Sequence, residues 1–182
     1  MPNLRKLLKE AGCKDGICWT QGFLQENGSF CALEMGYRND GNMMTFLVHQ
    51  ATGFDTMSWL LDTSLGVAHS SQDLPRRDSL NAKQYTCQVT VMSHKQSTIS
   101  RIEGMEFVEQ IPGIRMWTNV EENQQIAAHA MMARLIFDAD TIDELCDMVG
   151  KINTILRIYD ENGENLVEYF DNFESIRKAL DR

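Results

Sequence analysis

The stretch WTQGFLQENGSFCALEMGYRNDGNMM, residues 19–44, decides the fold, because it predicts a β-hairpin that leads through a glycine loop into a helix. Asn27-Gly28 is a strong hairpin signal, since both central residues of a type I′ turn need a positive φ. A two-residue loop at this position places Gln21 directly opposite Glu34. Such cross-strand neighbours have Cβ atoms about 4.5–5.5 Å apart, which is close enough for two side chains to share one cation.

One face of the predicted hairpin carries polar side chains and a glycine that leaves room for something bulky. Side chains alternate along a strand, and this face therefore collects Gln21, Glu34, Gly36 and Arg38. Mg²⁺ prefers oxygen ligands and fills its remaining positions with water or phosphate oxygens, while an arginine binds phosphate with its planar fork. The pattern fits phosphoryl transfer, and a solvent-exposed ion pair is the alternative. We expect the opposite face to line a core with Leu24, Cys31, Leu33, Met35 and Tyr37.

The loop after the hairpin has two interpretations: it is a helix cap that needs no ligand, or it presents a helix N-terminus to an anion. Asp40 and Asn42 flank its glycine, and either side chain can cap the next helix. The N-terminus of that helix would then face the polar side of the hairpin and favour anions. Met43 and Met44 follow directly, either as core residues or as the lining of a substrate pocket.

The composition is that of an ordinary globular protein, with 182 residues of which 43% are hydrophobic and 24% are charged. A net charge of -9 argues against a nucleic-acid or membrane partner. The sequence has neither a signal-peptide pattern nor an apolar run of the roughly 18 residues that a membrane helix needs. Its five cysteines are scattered, which favours free thiols in a reducing cytosol, and we therefore expect a cytoplasmic protein.

The pattern along the chain predicts two lobes. Helices are expected at residues 3–12, 42–50 and 55–65, where apolar residues recur at helical spacing. Periodicity is lost over residues 68–82 (AHSSQDLPRRDSLNA), which we interpret as a linker between a first lobe, 1–67, and a second lobe, 83–182.

The second lobe mixes strands with helices. Strands are expected at 85–92, 98–102, 114–118, 131–137 and 156–159, with 98–102 paired to 85–92 across a polar turn. Helices are expected at 104–110, after the capping-box residues Thr141 and Glu144, and at 172–180. Hairpins suggest antiparallel pairing, and the predicted class is therefore α+β.

The order of motifs resembles the C-terminal part of the ATP-grasp superfamily, most closely its amino-acid-ligase and carbamoyl-phosphate-synthase-like branches. The matching positions are Glu34, Arg38, Gly41, Thr52-Gly53-Phe54-Asp55 and Leu65-Gly66. The later segments RIEG (101–104) and IPGI (111–114) resemble the small C-terminal lobe of those ligases. The resemblance implies the C-terminal half of an ATP-grasp lobe, an antiparallel sheet with helices, followed by a small β-rich α+β lobe.

The resemblance also implies roles for individual residues. Glu34 would be a Mg²⁺ ligand, Arg38 would be catalytic and contact the terminal phosphate of ATP, and Asn42 would help Arg38 to bind the nucleotide. Gln21 stands where the family has its first metal carboxylate, and Gly36 stands where it has an asparagine. Both departures weaken the expected metal binding, with Gln21 still able to offer one oxygen.

The implied function is that of a C-terminal fragment of an ATP-dependent carboxylate–amine or carboxylate–thiol ligase that works through an acyl-phosphate. The cofactors of the complete enzyme would be Mg²⁺ and ATP. The family's adenine contacts precede this hairpin, so we expect a missing N-terminal ATP-binding lobe, in the same or a separate chain, and an inactive isolated chain. Further partners would be a small-molecule carboxylate and a nucleophile, with a homo-oligomer as a further possibility. The alternative is a non-catalytic binding or assembly domain that retains the fold.

Overall fold

The computed structural model describes residues 2–70, 72–74 and 85–180. The chain divides into two compact units, Met1–Asn81 and Ala82–Arg182. Much of the linker expected at 68–82 lies outside the described residues, and the proposed lobe boundaries stay a prediction. Among the helices that the structure describes, none is long and apolar enough to cross a membrane. Helices and antiparallel strands alternate through the described chain, which confirms the α+β class.

The described part of the amino-terminal unit contains a helix, a hairpin and two further helices. Their bounds are α1 (Pro2–Glu10), β1 (Trp19–Leu24), β2 (Phe30–Gly36), α2 (Met44–Thr52) and α3 (Thr56–Ser64). Helix α2 ends where Gly53 adopts a φ of 75° and donates its N–H to the carbonyl of His49 at 2.7 Å. This is the left-handed C-terminal cap that glycine favours.

The hairpin turn differs from the predicted two-residue loop. The N–H of Gln25 donates to the carbonyl of Ser29 at 2.8 Å, and the N–H of Gly28 donates to the carbonyl of Gln25 at 2.9 Å. The loop therefore holds three residues, and Gly28 is the one among them with a positive φ, at 75°. The predicted type I′ turn at Asn27-Gly28 is wrong, because this is a three-residue turn that ends in a left-handed glycine.

The predicted register at Gln21 is nevertheless observed. The extra loop residue shifts the pairs next to the turn by one position, so that Gly22 pairs with Ala32 instead of Leu33. A bulge at Leu33 then shifts the register back, and Gln21 pairs with Glu34. The two irregularities cancel, which brings the amide and the carboxylate together by a route that the sequence pattern did not predict.

The apolar face of the hairpin does not line a core in the described chain, so that expectation is wrong. Leu24 is 77% exposed and Leu33 is 68% exposed. Cys31 and Tyr37 are also exposed, and Met35 is half-buried. None of the described residues of the amino-terminal unit is fully buried. A two-stranded hairpin is marginally stable without a third strand or other packing, and the described residues of this unit do not cover its apolar face.

The carboxy-terminal unit contains two antiparallel sheets and three helices in its described residues. Its strands are β3 (Tyr85–Ser93), β4 (Ser97–Glu103), β5 (Arg115–Thr118), β6 (Gln125–Ile126), β7 (Met131–Ala139), β8 (Arg157–Asp160) and β9 (Val167–Glu168). Its helices are α4 (Met105–Glu109), α5 (Ile142–Ile155) and α6 (Phe173–Leu180). The sheet orders are β5-β7-β3-β9 and β6-β4-β8.

The predicted pairing of 98–102 with 85–92 is wrong. Strand β3 pairs with β7 and β9, whereas β4 pairs with β6 and β8 in the other sheet. The polar turn between β3 and β4 changes sheets instead of closing a hairpin. Its Lys95 forms an ion pair with Asp160 at 2.9 Å, which ties this turn to the end of β8.

The core of this unit forms between the larger sheet and α5. Strand β7 contributes Leu135 and Phe137, and α5 contributes Val149 and Ile152, all at most 3% exposed. The predicted capping box of α5 is confirmed, since Thr141 accepts from the N–H of Glu144 and the Glu144 carboxylate accepts from the N–H of Thr141.

Candidate functional site

A pocket of about 770 Å³ opens on the polar side of the hairpin. The four residues assigned to metal or nucleotide binding from the sequence, Gln21, Glu34, Arg38 and Asn42, all line it. The volume is in the range of small-molecule sites. The remaining lining comes from the strand ends, the loop and the start of two helices: Ile17, Cys18, Trp19, Thr20, Asn39, Asp40, Gly41, Met44, Thr45, Val48 and Thr56.

Gln21 and Glu34 form one wall of the pocket as a directly opposed pair. Both side chains are exposed, and the described residues offer the Glu34 carboxylate no hydrogen bond or ion pair. Their oxygens are therefore available to a ligand. In the described chain no group of three or more His, Cys, Asp or Glu side chains is placed to hold a metal ion.

Arg38 stands beyond the end of β2 with its guanidinium held on two sides. One Nη1 hydrogen is donated to the carbonyl of Asn39 at 2.7 Å. The Cζ atom lies 5.5 Å from the centre of the Trp19 ring, within the range of a cation–π contact. Among the described residues no partner accepts from the remaining N–H groups of Arg38. These donors are available to an anion in the pocket.

Trp19 fills the room that Gly36 was expected to leave for a ligand, so that expectation is wrong. The two residues are cross-strand partners. A Cβ atom built on Gly36 would lie 2.4 Å from Nε1 and 2.9 Å from Cε2 of the Trp19 indole. The Nε1 atom is buried and has no hydrogen-bond partner among the described residues. The position of the family's asparagine is therefore covered by an indole ring.

The loop into α2 is shaped by Asp40. Its Oδ1 accepts from the N–H of Met44 at 3.1 Å, which confirms Asp40 as a capping residue of this helix. Met43 precedes the helix with a φ of 58°, in the left-handed region that a non-glycine residue seldom adopts. Asn42 makes no capping hydrogen bond to the helix. It is exposed and lines the pocket.

The Thr52-Gly53-Phe54-Asp55 segment is a turn between two helices and not a direct wall of the pocket. Asp55 caps α3 by accepting from the N–H groups of Met57 and Ser58, at 3.0 Å each, and from the Ser58 hydroxyl at 2.7 Å. The hydrogen bonds from Ser58 lower the pKa of the Asp55 carboxyl. Asn39 donates to the carbonyl of Thr56 at 3.4 Å, which links the pocket loop to α3.

Trp19 is the site residue that sequence reasoning missed. The register that pairs Gln21 with Glu34 also pairs Trp19 with Gly36, so the signal was present in the same alternation of the strands. An aromatic residue opposite a glycine covers the exposed backbone of that glycine, which is a known stabilising arrangement in sheets.

No protein-family model and no curated protein matches the sequence. The structure is similar to that of the L-amino acid ligase from Bacillus licheniformis, with a TM-score of 0.72 and 17% identity over 87% of this chain and 40% of that chain. It is also similar to the phosphoribosylglycinamide synthetase from Anaerococcus prevotii, with a TM-score of 0.65 and 15% identity over 87% of this chain and 40% of that chain.

A third similar structure is the N5-carboxyaminoimidazole ribonucleotide synthetase from Thermotoga maritima. It has a TM-score of 0.58 and 14% identity over 87% of this chain and 41% of that chain. The chain thus spans about 40% of the length of these three relatives. Identities this low show the fold alone, and all three relatives are ATP-grasp ligases. The chain therefore has the fold of part of an ATP-grasp ligase, as its motifs predicted.

Proposed function

We propose that this pocket is half of the phosphoryl-transfer site of an ATP-dependent carboxylate–amine or carboxylate–thiol ligase. The complete enzyme would transfer the terminal phosphate of ATP to a carboxylate, and a nucleophile would then displace phosphate from the acyl-phosphate. The observation that carries the proposal is the convergence of Gln21, Glu34 and Arg38 on one pocket. Two oxygen donors and a guanidinium are the groups that a metal-bound phosphate requires.

A divalent cation fits this site if the phosphates supply part of its coordination. Gln21 and Glu34 offer one amide and one carboxylate oxygen, with a single negative charge between them. Mg²⁺ is commonly bound through one or two carboxylates together with substrate phosphates and water. When bound, the ion would neutralise charge on the phosphate oxygens. We therefore expect the cation to bind together with a polyphosphate and only weakly without one.

Arg38 would stabilise the charge on the transferred phosphoryl group. Its planar fork suits phosphate oxygens, and the N–H groups that do not bind Asn39 are available. Stabilisation of developing charge by preorganised donors is usually the largest contribution to a reaction of this kind. Asn42, which lines the same pocket, would add an uncharged polar contact to the nucleotide.

A further polypeptide segment would complete the site by supplying the ATP-binding lobe. Two observations support this part of the proposal. The chain spans about 40% of its structural relatives, and the apolar face of its hairpin is exposed. A segment that packs on this face would cover the side of the hairpin opposite the pocket. All five cysteines are free thiols, in keeping with a reducing cytoplasmic location.

The test is ADP formation. The chain would be joined to an ATP-binding lobe placed before it, and ADP release would be compared between the wild type and Glu34→Ala, with the unjoined chain as reference. We expect release by the joined wild type, a loss of at least about tenfold in Glu34→Ala, and none by the chain alone. Robust ligation by the chain alone would overturn the need for a second lobe.

A non-catalytic binding or assembly domain is the second candidate. Two observations favour it: Gln21 carries no charge, and Trp19 covers the position at which the family has an asparagine. Under this reading the pocket binds a phosphate-containing ligand without turning it over. Equal ADP formation by the joined wild type and Glu34→Ala would support it.

A further inference from the structure

The packing of Trp19 on Gly36 sets the shape of the pocket wall. The indole lies over the glycine so closely that a Cβ atom at position 36 would meet Nε1 at 2.4 Å, Cε2 at 2.9 Å and Cδ1 at 3.3 Å. Contacts below 3.0 Å require one partner to move. Because the atoms concerned belong to a side chain, the indole would rotate away while the strand pairing stayed intact.

The same indole is in contact with the guanidinium of Arg38. The Cζ atom of Arg38 lies 5.5 Å from the ring centre, and Trp19 is half-buried, so its ring is a fixed support for an exposed arginine. The hydrogen bond to Asn39 holds only one edge of the guanidinium. Without the ring, the long side chain would sample several rotamers, and ordering it on a ligand would cost conformational entropy.

We propose that Trp19 is the positioning residue of this site: its indole holds the Arg38 guanidinium at the pocket and occupies the space in which a side chain at position 36 would stand. The proposal rests on the proposed function only for the class of ligand, a phosphate or acyl-phosphate. Trp19 and Gly36 form a matched pair. Position 36 supplies no third oxygen ligand, and its space is occupied by the indole ring that holds Arg38 in place.

A consequence follows for Gly36→Asn, which restores the residue type that the family resemblance places there. In this chain the new side chain would displace the indole and release Arg38, so it would weaken anion binding instead of adding a cation ligand. Removal of the indole should abolish this penalty, because no group is then left to displace. A double-variant cycle between positions 19 and 36 therefore measures the coupling directly.

The first test needs no ligand. In proton–nitrogen and proton–carbon NMR spectra of the full chain, the side-chain protons of Arg38 should show an upfield ring-current shift from Trp19. We expect Trp19→Leu and Gly36→Asn to lose this shift, and Trp19→Phe to keep part of it. The matched control is Trp59→Phe, which should leave the Arg38 shift unchanged because the Trp59 ring stacks on His69, with the ring centres 3.9 Å apart. An Arg38 shift unchanged in Trp19→Leu, with the β1 and β2 amide signals intact, would overturn the proposal.

The second test is calorimetric titration with inorganic pyrophosphate in the presence of Mg²⁺. We expect Trp19→Leu to weaken binding about threefold to tenfold and Trp19→Phe to stay within about twofold, in line with the strength of cation–π contacts. Gly36→Asn should weaken binding beside Trp19 and have no further effect beside Leu at position 19. Tighter binding by Gly36→Asn with Trp19 present would overturn the proposal. If the wild type binds no pyrophosphate but the ring-current pattern holds, the proposed function fails and the positioning role stands.

Discussion

Gln21 and Glu34 face each other across the hairpin although the register of the two strands shifts by one residue directly on the turn side of the pair. The loop holds one residue more than a two-residue turn, which shifts the register one way, and the bulge at Leu33 adds one residue to β2, which shifts it back. The two effects cancel at the pocket. Bulges near functional sites commonly re-aim side chains in this way. The opposition of the two oxygen donors therefore depends on the backbone at the bulge as well as on strand alternation.

Gly22, which borders the bulge, should tolerate no side chain. A Cβ atom there would lie 2.1 Å from the carbonyl oxygen of Cys31 and 2.9 Å from the Cα atom of Ala32, both of them backbone atoms. We expect Gly22→Ala to destabilise the hairpin by about 1–3 kcal/mol, the usual cost of forcing atoms into a packed site. Amide hydrogen exchange across β1 and β2 measures this change. Gly41→Ala is the control, because no atom lies within 4 Å of a Cβ at Gly41, and equal exchange rates in the two variants would contradict the bulge geometry.

How far the sequence predicts this site is clearest at the hairpin. Strand alternation and the turn signal predicted the pairing of Gln21 with Glu34 correctly, although the predicted turn type was wrong. The pairing is right because the unpredicted bulge at Leu33 compensates for the unpredicted third loop residue. The pairing of Trp19 with Gly36 was available from the same register. Its consequence was missed because alternation says which residues face each other and not how far a large ring reaches over a glycine.

Other features depend on contacts that a one-dimensional pattern does not contain. The apolar residues Leu24 and Leu33 were predicted to line a core, but both are exposed. Periodicity shows that a face is apolar but does not show what covers it. The pairing of β3 with β7 joins residues about fifty positions apart, whereas the sequence favoured the nearer partner, β4. The capping box was predicted correctly, because Thr141 and Glu144 lie within one turn of helix and the signal is local.

The cap at Asp55 should stabilise α3 measurably. Its carboxylate accepts from the N–H groups of Met57 and Ser58 and from the Ser58 hydroxyl, which satisfies donors at the helix start that have no partner within the helix. We expect Asp55→Ala to cost about 1 kcal/mol and Asp55→Ser to retain most of the stability. Hydrogen exchange in α3 is the measurement. If the Ala and Ser variants lose protection equally, the side-chain cap is not what stabilises the helix.

Asp160 should make the carboxy-terminal unit sensitive to acid. The side-chain hydrogen bond from Lys95, followed by the N–H of Glu164, lowers the pKa of this buried carboxyl to about 2. Because the native pKa is depressed, the stabilisation is complete above the ordinary value near 4 and is lost as pH falls from about 4 towards 2. Urea unfolding at a series of pH values should show this loss.

The matched variants for this prediction are Asp160→Asn and Asp171→Asn. We expect Asp160→Asn to lower the urea midpoint at pH 7 and to flatten the fall between about pH 4 and 2, because one ionisation no longer differs between the folded and unfolded chain. Asp171 is exposed, and its side chain makes no hydrogen bond or ion pair to the described residues, so Asp171→Asn should keep the wild-type profile. A wild-type profile in Asp160→Asn would rule out this carboxyl as the source of the acid sensitivity.

The central claim is that Glu34 and Arg38 act together on a metal-bound phosphate, and calorimetric titration of the full chain with pyrophosphate tests it most directly. With Mg²⁺ present we expect one pyrophosphate per chain, at least about tenfold weaker binding in Arg38→Gln, and the loss of the Mg²⁺ dependence in Glu34→Gln. Asp15→Asn, an exposed change outside the pocket lining, should bind like the wild type. Pyrophosphate binding that is the same in all four proteins, or that is independent of Mg²⁺ in the wild type, would contradict the claim.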